Sequence, residues 1–179
     1  DLRPSILAQI PNLPTFLSLE AHGHVLLNGS NQPNGRIELD IPEVEWQQHR
    51  YQKLEATASF FNGFAEIVLQ SQDPSLYLNV DAKAALDKNW RPSQLIANGH
   101  IKRLSPAELG LSKQWGNGHF AFDFDIKAPQ LDVKHPNGEF ELRHFSMQNV
   151  DTPYSLNRLA LKVSPHPRGS HLTLQSEIG

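Results

Sequence analysis

Nine histidines and several carboxylate pairs are the residues with the means to do chemistry. His22-x-His24, with Glu20 beside it, has the residue types of a zinc site, which takes imidazole and carboxylate ligands. Glu38 with Asp40, Asp123 with Asp125, and Glu139 with Glu141 are carboxylate pairs of the kind that glycoside hydrolysis employs. Trp46, Trp90 and Trp115 are candidate platforms for stacking on sugar rings. Each set has a plainer explanation in its spacing. Members of each pair stand two apart and alternate with apolar residues, as side chains do on the wet face of a half-buried strand. No second cluster supplies further metal ligands to His22 and His24, and the remaining histidines are scattered. No Walker loop, nucleophile elbow, His-Glu-x-x-His or dinucleotide fingerprint is present. The reading is therefore non-enzymatic, with no catalytic residue, no metal and no cofactor.

The elements that carry these residues are strands. Leu17, Leu19, Ala21, Gly23, Val25 and Leu27 fall on one face of an extended chain, opposite Ser18, Glu20, His22 and His24. Ile37, Leu39 and Ile41 alternate with Arg36, Glu38 and Asp40. Leu76, Leu78, Val80 and Ala82 continue the pattern, as do Phe120, Phe122, Phe124 and Ile126, then Phe140 and Leu142. Period two means one buried face and one wet face in an antiparallel sheet. Asn-Gly occurs six times, at 28–29, 34–35, 62–63, 98–99, 117–118 and 137–138, and it suits the positive φ angles of tight hairpin turns. A two-residue loop at Asn62-Gly63 pairs Phe61 with Phe64, Phe60 with Ala65, Ala58 with Ile67 and Ala56 with Leu69. That register sets Leu54, Ala56, Ala58, Phe60, Ala65, Ile67 and Leu69 on a single face, and a slip of one residue would destroy it. Ser105-Pro106-Ala107-Glu108 is a capping box that predicts a short helix through Leu111. Similar helical turns are expected over 2–10 and 91–97.

Composition narrows the function classes. Hydrophobic residues at 39% of 179 can build a core, and a net charge of −3 offers no footprint for nucleic acid. With no cysteine there are no disulfides, thiolate sites or cysteine nucleophiles. No apolar run approaches the ~20 residues that span a bilayer as a helix. The chain opens on Asp1 and closes on Leu174-Gln175-Ser176-Glu177-Ile178-Gly179 in mid-pattern, so it reads as a piece of a longer protein.

The sequence also repeats itself. Leu2-x-Pro4-x-x-Leu7 returns as Leu104-x-Pro106-x-x-Leu109. Pro33-Asn34-Gly35-Arg36-Ile37-Glu38-Leu39 returns as Pro136-Asn137-Gly138-Glu139-Phe140-Glu141-Leu142, an offset of 103. Leu54, Ala56 and Ala58 correspond to Leu159, Leu161 and Val163, and Leu69-Gln70-Ser71 to Leu174-Gln175-Ser176, both at 105. Landmarks in the same order at a nearly constant offset indicate stacked units. The expectation is two modules, 1–101 and 102–179, the second truncated, in one continuous antiparallel sheet with a few short helices.

These motifs resemble the AsmA/TamB superfamily, in particular large TamB-like proteins of Bacteroidetes type. The resemblance rests on Leu-x-Pro-x-x-Leu, Asn34-Gly35-Arg36-Ile37-Glu38-Leu39, Lys53-Leu54, Ile67-Val68-Leu69-Gln70-Ser71 and Asn98-Gly99-His100-Ile101, and it runs along essentially the whole chain. It implies a U-shaped β-taco with an apolar inner face, in a protein anchored in the inner membrane and extending through the periplasm. It implies phospholipid transport, or assembly of outer-membrane proteins with a BamA-family partner. Acyl chains or unfolded outer-membrane β-strands would lie against Leu17, Leu19, Val25, Leu27, Ile37, Leu39, Ile41, Leu54, Phe60, Ile67, Leu69, Leu78, Val80, Phe120, Phe122, Phe124, Phe140, Leu142, Leu159, Leu161, Val163, Leu172 and Leu174. Open sheet edges at both ends also predict edge-to-edge self-association. The alternative reading is a secreted carbohydrate-binding or adhesin β-sandwich, in which the apolar face is a closed core and the tryptophans gather on one surface.

Overall fold

The computed structural model describes residues 16–27, 33–46, 49–111, 116–131, 136–150, 152–167 and 169–178. They form ten strands: β1 (Phe16–Leu27), β2 (Pro33–Trp46), β3 (His49–Phe61), β4 (Phe64–Gln72), β5 (Leu76–Leu86), β6 (Pro92–Leu104), β7 (His119–Gln130), β8 (Asn137–Gln148), β9 (Tyr154–His166) and β10 (Gly169–Ile178). They make one antiparallel sheet in strict chain order, β1 beside β2 through to β10. The sheet is open: β1 and β10 are its edges, and the substantial strand contacts are all between sequence neighbours. The predicted boundary at 101/102 lies inside β6. A sandwich needs a second sheet packed on the first, and the described residues contain one sheet only.

The hairpin at Asn62-Gly63 forms in the predicted register, Phe61 facing Phe64, Phe60 facing Ala65, Ala58 facing Ile67 and Ala56 facing Leu69. Both turn residues have positive φ, 49° and 78°, as the tight hairpin turn requires. Three other Asn-Gly pairs are not turns. Asn34-Gly35, Asn98-Gly99 and Asn137-Gly138 lie within β2, β6 and β8. Their glycines answer to crowding. A Cβ on Gly99 would sit 2.3 Å from the Phe124 ring, and one on Gly138 would sit 2.8 Å from the Lys127 carbonyl oxygen. Glycine in a strand often marks such a close approach. The pair at 28–29 lies outside the described residues.

Two helical expectations are corrected. Residues 91–97 run into strand β6, where Leu95, Ala97, Gly99 and Ile101 alternate on one face and Pro92 takes the first position, which needs no ladder donor. Ser105–Leu111 make one turn, not a helix: Leu109 N–H donates to the Ser105 carbonyl at 3.0 Å, and Gly110 at φ +70° reverses the chain. The segment predicted at 2–10 lies outside the described residues.

This turn is held against β3 at one end of the sheet. Leu109 is buried, and its carbonyl accepts a hydrogen bond from the Tyr51 hydroxyl at 3.1 Å. Gly110 lies against the His49 ring, where a Cβ would come within 2.3 Å. Asp73 ties the same end together. Its carboxylate accepts from the backbone N–H of Gln52 and of Ser75, each at 2.7 Å. Ser71 donates its hydroxyl to the Leu76 carbonyl, and Ser105 N–H donates to the Ser75 carbonyl at 2.9 Å. Asp73, Ser71 and Ser105 are the buried polar residues of the described chain, and each has a partner, as buried polar groups must.

A candidate ligand-binding face

Strand register sorts the side chains into rows that cross all ten strands. One row is Gly23, Ile37, Ala58, Ile67, Ala82, Ala97, Ile126, Phe140, Leu161 and Leu174, each directly opposite the next. The row beside it on the same face is Ala21, Leu39, Ala56, Leu69, Val80, Gly99, Phe124, Leu142, Leu159 and Ser176. Further along, Ile41 faces Leu54, Leu54 faces Ser71, Leu78 faces Ile101 and Ile101 faces Phe122. On the other side of the first row, Phe60 faces Ala65, Val25 faces Gly35, and Val163 faces both Gly138 and Leu172. The set predicted from alternation thus shares one face. Leu17 lies beyond a register break between Ser18 and Glu20, where Leu19 stands against two residues of β2, Ile41 and Pro42. Leu27 pairs with Pro33 at the backbone.

This face has little cover. Among the described residues the buried apolar ones are Ala65, Ala97, Ile101, Leu109 and Leu156. Ile67 is 45% exposed, and Leu172 and Leu174 on β10 are 62% and 63% exposed. Only the turn at 105–111 folds back over an end of the sheet among the described residues. A soluble protein rarely leaves apolar patches beyond a few hundred Å² bare, and larger ones mark binding surfaces.

Across β7, β8 and β9 the face turns aromatic. Phe120 stacks on Phe145 with centroids 5.8 Å apart, Phe122 lies 6.3 Å from Phe145 and 6.4 Å from Phe124, and Tyr154 meets Phe145 edge-on at 6.3 Å. Alternation from Phe140 and Leu142 does not predict Phe145 or Met147 on this face. A bulge does it. His144 adopts φ +51°, and the pairing slips between Ala121 and Asp123. The extra residue changes the parity of the strand, so that Phe145 faces Leu156 and Met147 faces Phe120. The three-residue interval from Leu142 to Phe145 was the available signal.

The titratable residues occupy the opposite face. One row there is Glu20, Asp40, Glu55, Gln70, Asn79, His100, Asp123, Arg143, Arg158 and Glu177. Four carboxylates of this face are spent on cationic neighbours. Glu66 pairs with Lys83 at 2.7 Å, Glu139 with Lys162 at 2.6 Å, Glu141 with Arg158 at 3.1 Å, and Asp125 with Arg143. Asp123 accepts from Nδ1 of His100 at 2.5 Å and from Nδ1 of His144 at 2.7 Å. Those two bonds hold its carboxyl below the usual range, as the Lys162 bond does for Glu139 and the Arg158 bond for Glu141.

The other sequence candidates do not converge. His22 faces Glu38, but His24 faces Arg36, whose cation would repel a metal ion. Among the described residues no three histidine, aspartate or glutamate side chains are placed to hold a metal. Trp90 lies exposed in the turn between β5 and β6. Trp46 is placed only by its backbone at the end of β2, and Trp115 lies outside the described residues.

The chain matches no family model, no curated protein and no solved structure.

Proposed function

We propose that this chain is a non-enzymatic segment of a TamB/AsmA-like envelope scaffold, and that its apolar face carries phospholipid acyl chains or an unfolded outer-membrane strand through the periplasm. The observation that carries the reading is the ten-strand apolar row from Gly23 to Leu174 on a sheet without a second layer among the described residues. Strands spaced about 4.8 Å apart make a row of nine intervals roughly 43 Å long. Each acyl CH₂ laid on such a surface leaves water with a gain of ~0.8 kcal/mol. Successive positions in the row are all apolar, so a chain can advance without meeting a charge.

Strand register supports the two-unit reading. Ile37 stands between Gly23 and Ala58, and Leu39 between Ala21 and Ala56. An offset of 103 converts these to Phe140 between Ile126 and Leu161, and Leu142 between Phe124 and Leu159, which are the partners found. Strands β1, β2 and β3 thus correspond in register to β7, β8 and β9. The corresponding strands are six apart, an even number, so a further unit would continue the sheet with the same direction and the same apolar face. For β3 and β9 this offset is two residues shorter than the one read from sequence.

The test is native mass spectrometry with lipid extraction on the protein purified from a bacterial envelope. Phospholipid should travel with the wild-type chain and be lost from the double variant Leu39→Asp and Phe122→Asp, while the circular dichroism of the sheet is retained. A lipid-free wild type that exposes no dye-binding apolar surface would overturn the reading.

A further inference from the structure

The strand ends around the Asn62-Gly63 hairpin present a patch of their own. Phe61 and Phe64 flank that turn and are 63% and 56% exposed. They stand one residue from Phe60 and Ala65, so they lie on the charged face and not on the apolar one. Register continues them into Ala85 and Gln94. Exposed Ile96 stands one row further in, and exposed Leu26 lies at the same end of the sheet. The β5–β6 turn is stitched to the hairpin, with Leu86 N–H donating to the Gly63 carbonyl at 2.7 Å. That turn is tied within itself too. Asp87 N–H donates to the Arg91 carbonyl at 2.9 Å, and the Asp87 carboxylate accepts from the backbone N–H of Asn89 at 2.7 Å and of Arg91 at 2.9 Å. It presents Lys88 and Arg91 to solvent at this same end. Strands β3 to β6 lie inside the strand order, so strands added beyond β1 or β10 would extend the sheet sideways and leave these tips where they are.

Charge on this face is sorted along the strands. The row next to the tips holds Arg36, Lys83, Lys127 and Lys162 against Glu66 and Glu139. The row after it holds Glu38, Asp81, Asp125 and Glu141 and no lysine or arginine. The third, from Glu20 to Glu177, is acidic as well, with Arg143 and Arg158 as its cations. Cations therefore gather within about 7 Å of the exposed rings, one two-residue step of a strand, although the chain as a whole carries −3. Glu66 and Glu139 bond Lys83 and Lys162, and Arg36 meets Glu38 of the next row at 2.7 Å. Lys127, Lys88 and Arg91 add positive charge beyond those pairs.

We propose that this end of the sheet docks on an anionic lipid bilayer. Phe61 and Phe64 enter the boundary between headgroups and acyl chains, and the lysines and arginines behind them lie among the phosphates. Segments that lie on membranes bury Phe, Trp and Leu at that boundary and keep Lys and Arg on the polar side. Anionic headgroups attract such cations over about a Debye length. An apolar groove on another protein would also accept the rings, but it would make no use of the cationic row. The acidic rows stand farther from the tips, so the same bilayer would repel the middle of this face. Docked so, the apolar row runs parallel to the bilayer, where lipid would enter it. The inference concerns the strand ends and does not rest on what the apolar face carries.

The test is flotation with vesicles of two-thirds phosphatidylcholine and one-third phosphatidylglycerol. The wild-type chain should float with them, several-fold less with phosphatidylcholine alone, and salt should release it. Phe61→Ser with Phe64→Ser should weaken binding roughly tenfold or more, and Lys88→Glu with Lys127→Glu several-fold. All four positions are exposed, so the circular dichroism of the sheet should be retained. Leu39→Asp with Phe122→Asp should float as the wild type does, and the Phe61 and Phe64 variant should still carry extractable phospholipid, so that this inference and the proposed function fail separately. A wild-type chain that does not float with the anionic vesicles would overturn the inference. So would flotation lost on changing Leu39 and Phe122 but kept on changing Phe61 and Phe64. Sedimentation as a dimer that depends on Phe61 and Phe64, without vesicle binding, would assign the patch to a second copy of the chain and overturn it as well.

Discussion

Gly99 is the residue whose side chain, or lack of one, decides most about its surroundings. It faces Phe124 across β6 and β7, and the ring lies where a Cβ would be. Gly99→Ala should therefore push the ring out of its rotamer, at a cost of ~1–3 kcal/mol by the usual scale of overpacking. Urea denaturation measures it, and Gly99→Ala combined with Phe124→Leu should recover part of the loss; equal stability of Gly99→Ala and wild type would contradict the packing described. Asp123 makes a second residue-scale prediction. Its depressed carboxyl pKa means that stability from the His100 and His144 bonds is present above the unfolded carboxylate value and is lost as pH falls through the folded one. Asp123→Asn should flatten the decline of stability on the acid side. Exposed pairs of this kind contribute at most about 1 kcal/mol, so the effect belongs in a careful pH series of urea midpoints.

At the scale of elements, cross-strand neighbours matter more than sequence neighbours. Glu20, Asp40 and Glu55 stand directly opposite one another on β1, β2 and β3. Like charges in that position are destabilising. Asp40→Lys should raise the thermal midpoint, most at low salt because the interaction is screened. A midpoint that falls at low salt would show that the three carboxylates do not share a row. The same principle explains what could be read in the sequence. The Asn62-Gly63 hairpin was legible because the turn dipeptide and the alternation on both sides agreed on one register. Asn98-Gly99 was not, because the dipeptide that makes a turn also supplies the bare Cα that Phe124 needs. Phe145 and Met147 were missed because a single positive φ at His144 reverses strand parity, which no count of alternating residues anticipates. The capping box read at Ser105 is not what holds this turn: the Ser105 N–H donates to the Ser75 carbonyl, its hydroxyl accepts from Arg103, and after the one backbone bond from Leu109 to Ser105 the chain is turned away at Gly110.

For the whole molecule, alternation revealed which residues share a face but not whether that face is covered. Strand order bears on coverage, and among the described residues a meander of ten sequential strands makes one open sheet with no second layer. All the turns are local and every strand pairs with its neighbour in sequence, so contact order is low for an all-β protein, and folding should be faster than for a sandwich of equal length. Stopped-flow refolding tests that: a single phase in milliseconds agrees, and a dominant phase of many seconds does not. The open face should also make the protein bind a solvatochromic dye while fully folded.

The most direct measurement of the central claim is photocrosslinking of the folded protein with a phospholipid that carries a diazirine in its acyl chain, mapped by peptide mass spectrometry. The account predicts label on the row that contains Ile67, Phe140 and Leu174 and on its neighbour with Leu39 and Phe124, and none on the opposite row of Glu55, His100 and Arg158. Label spread equally over both faces, or confined to the polar one, would contradict it.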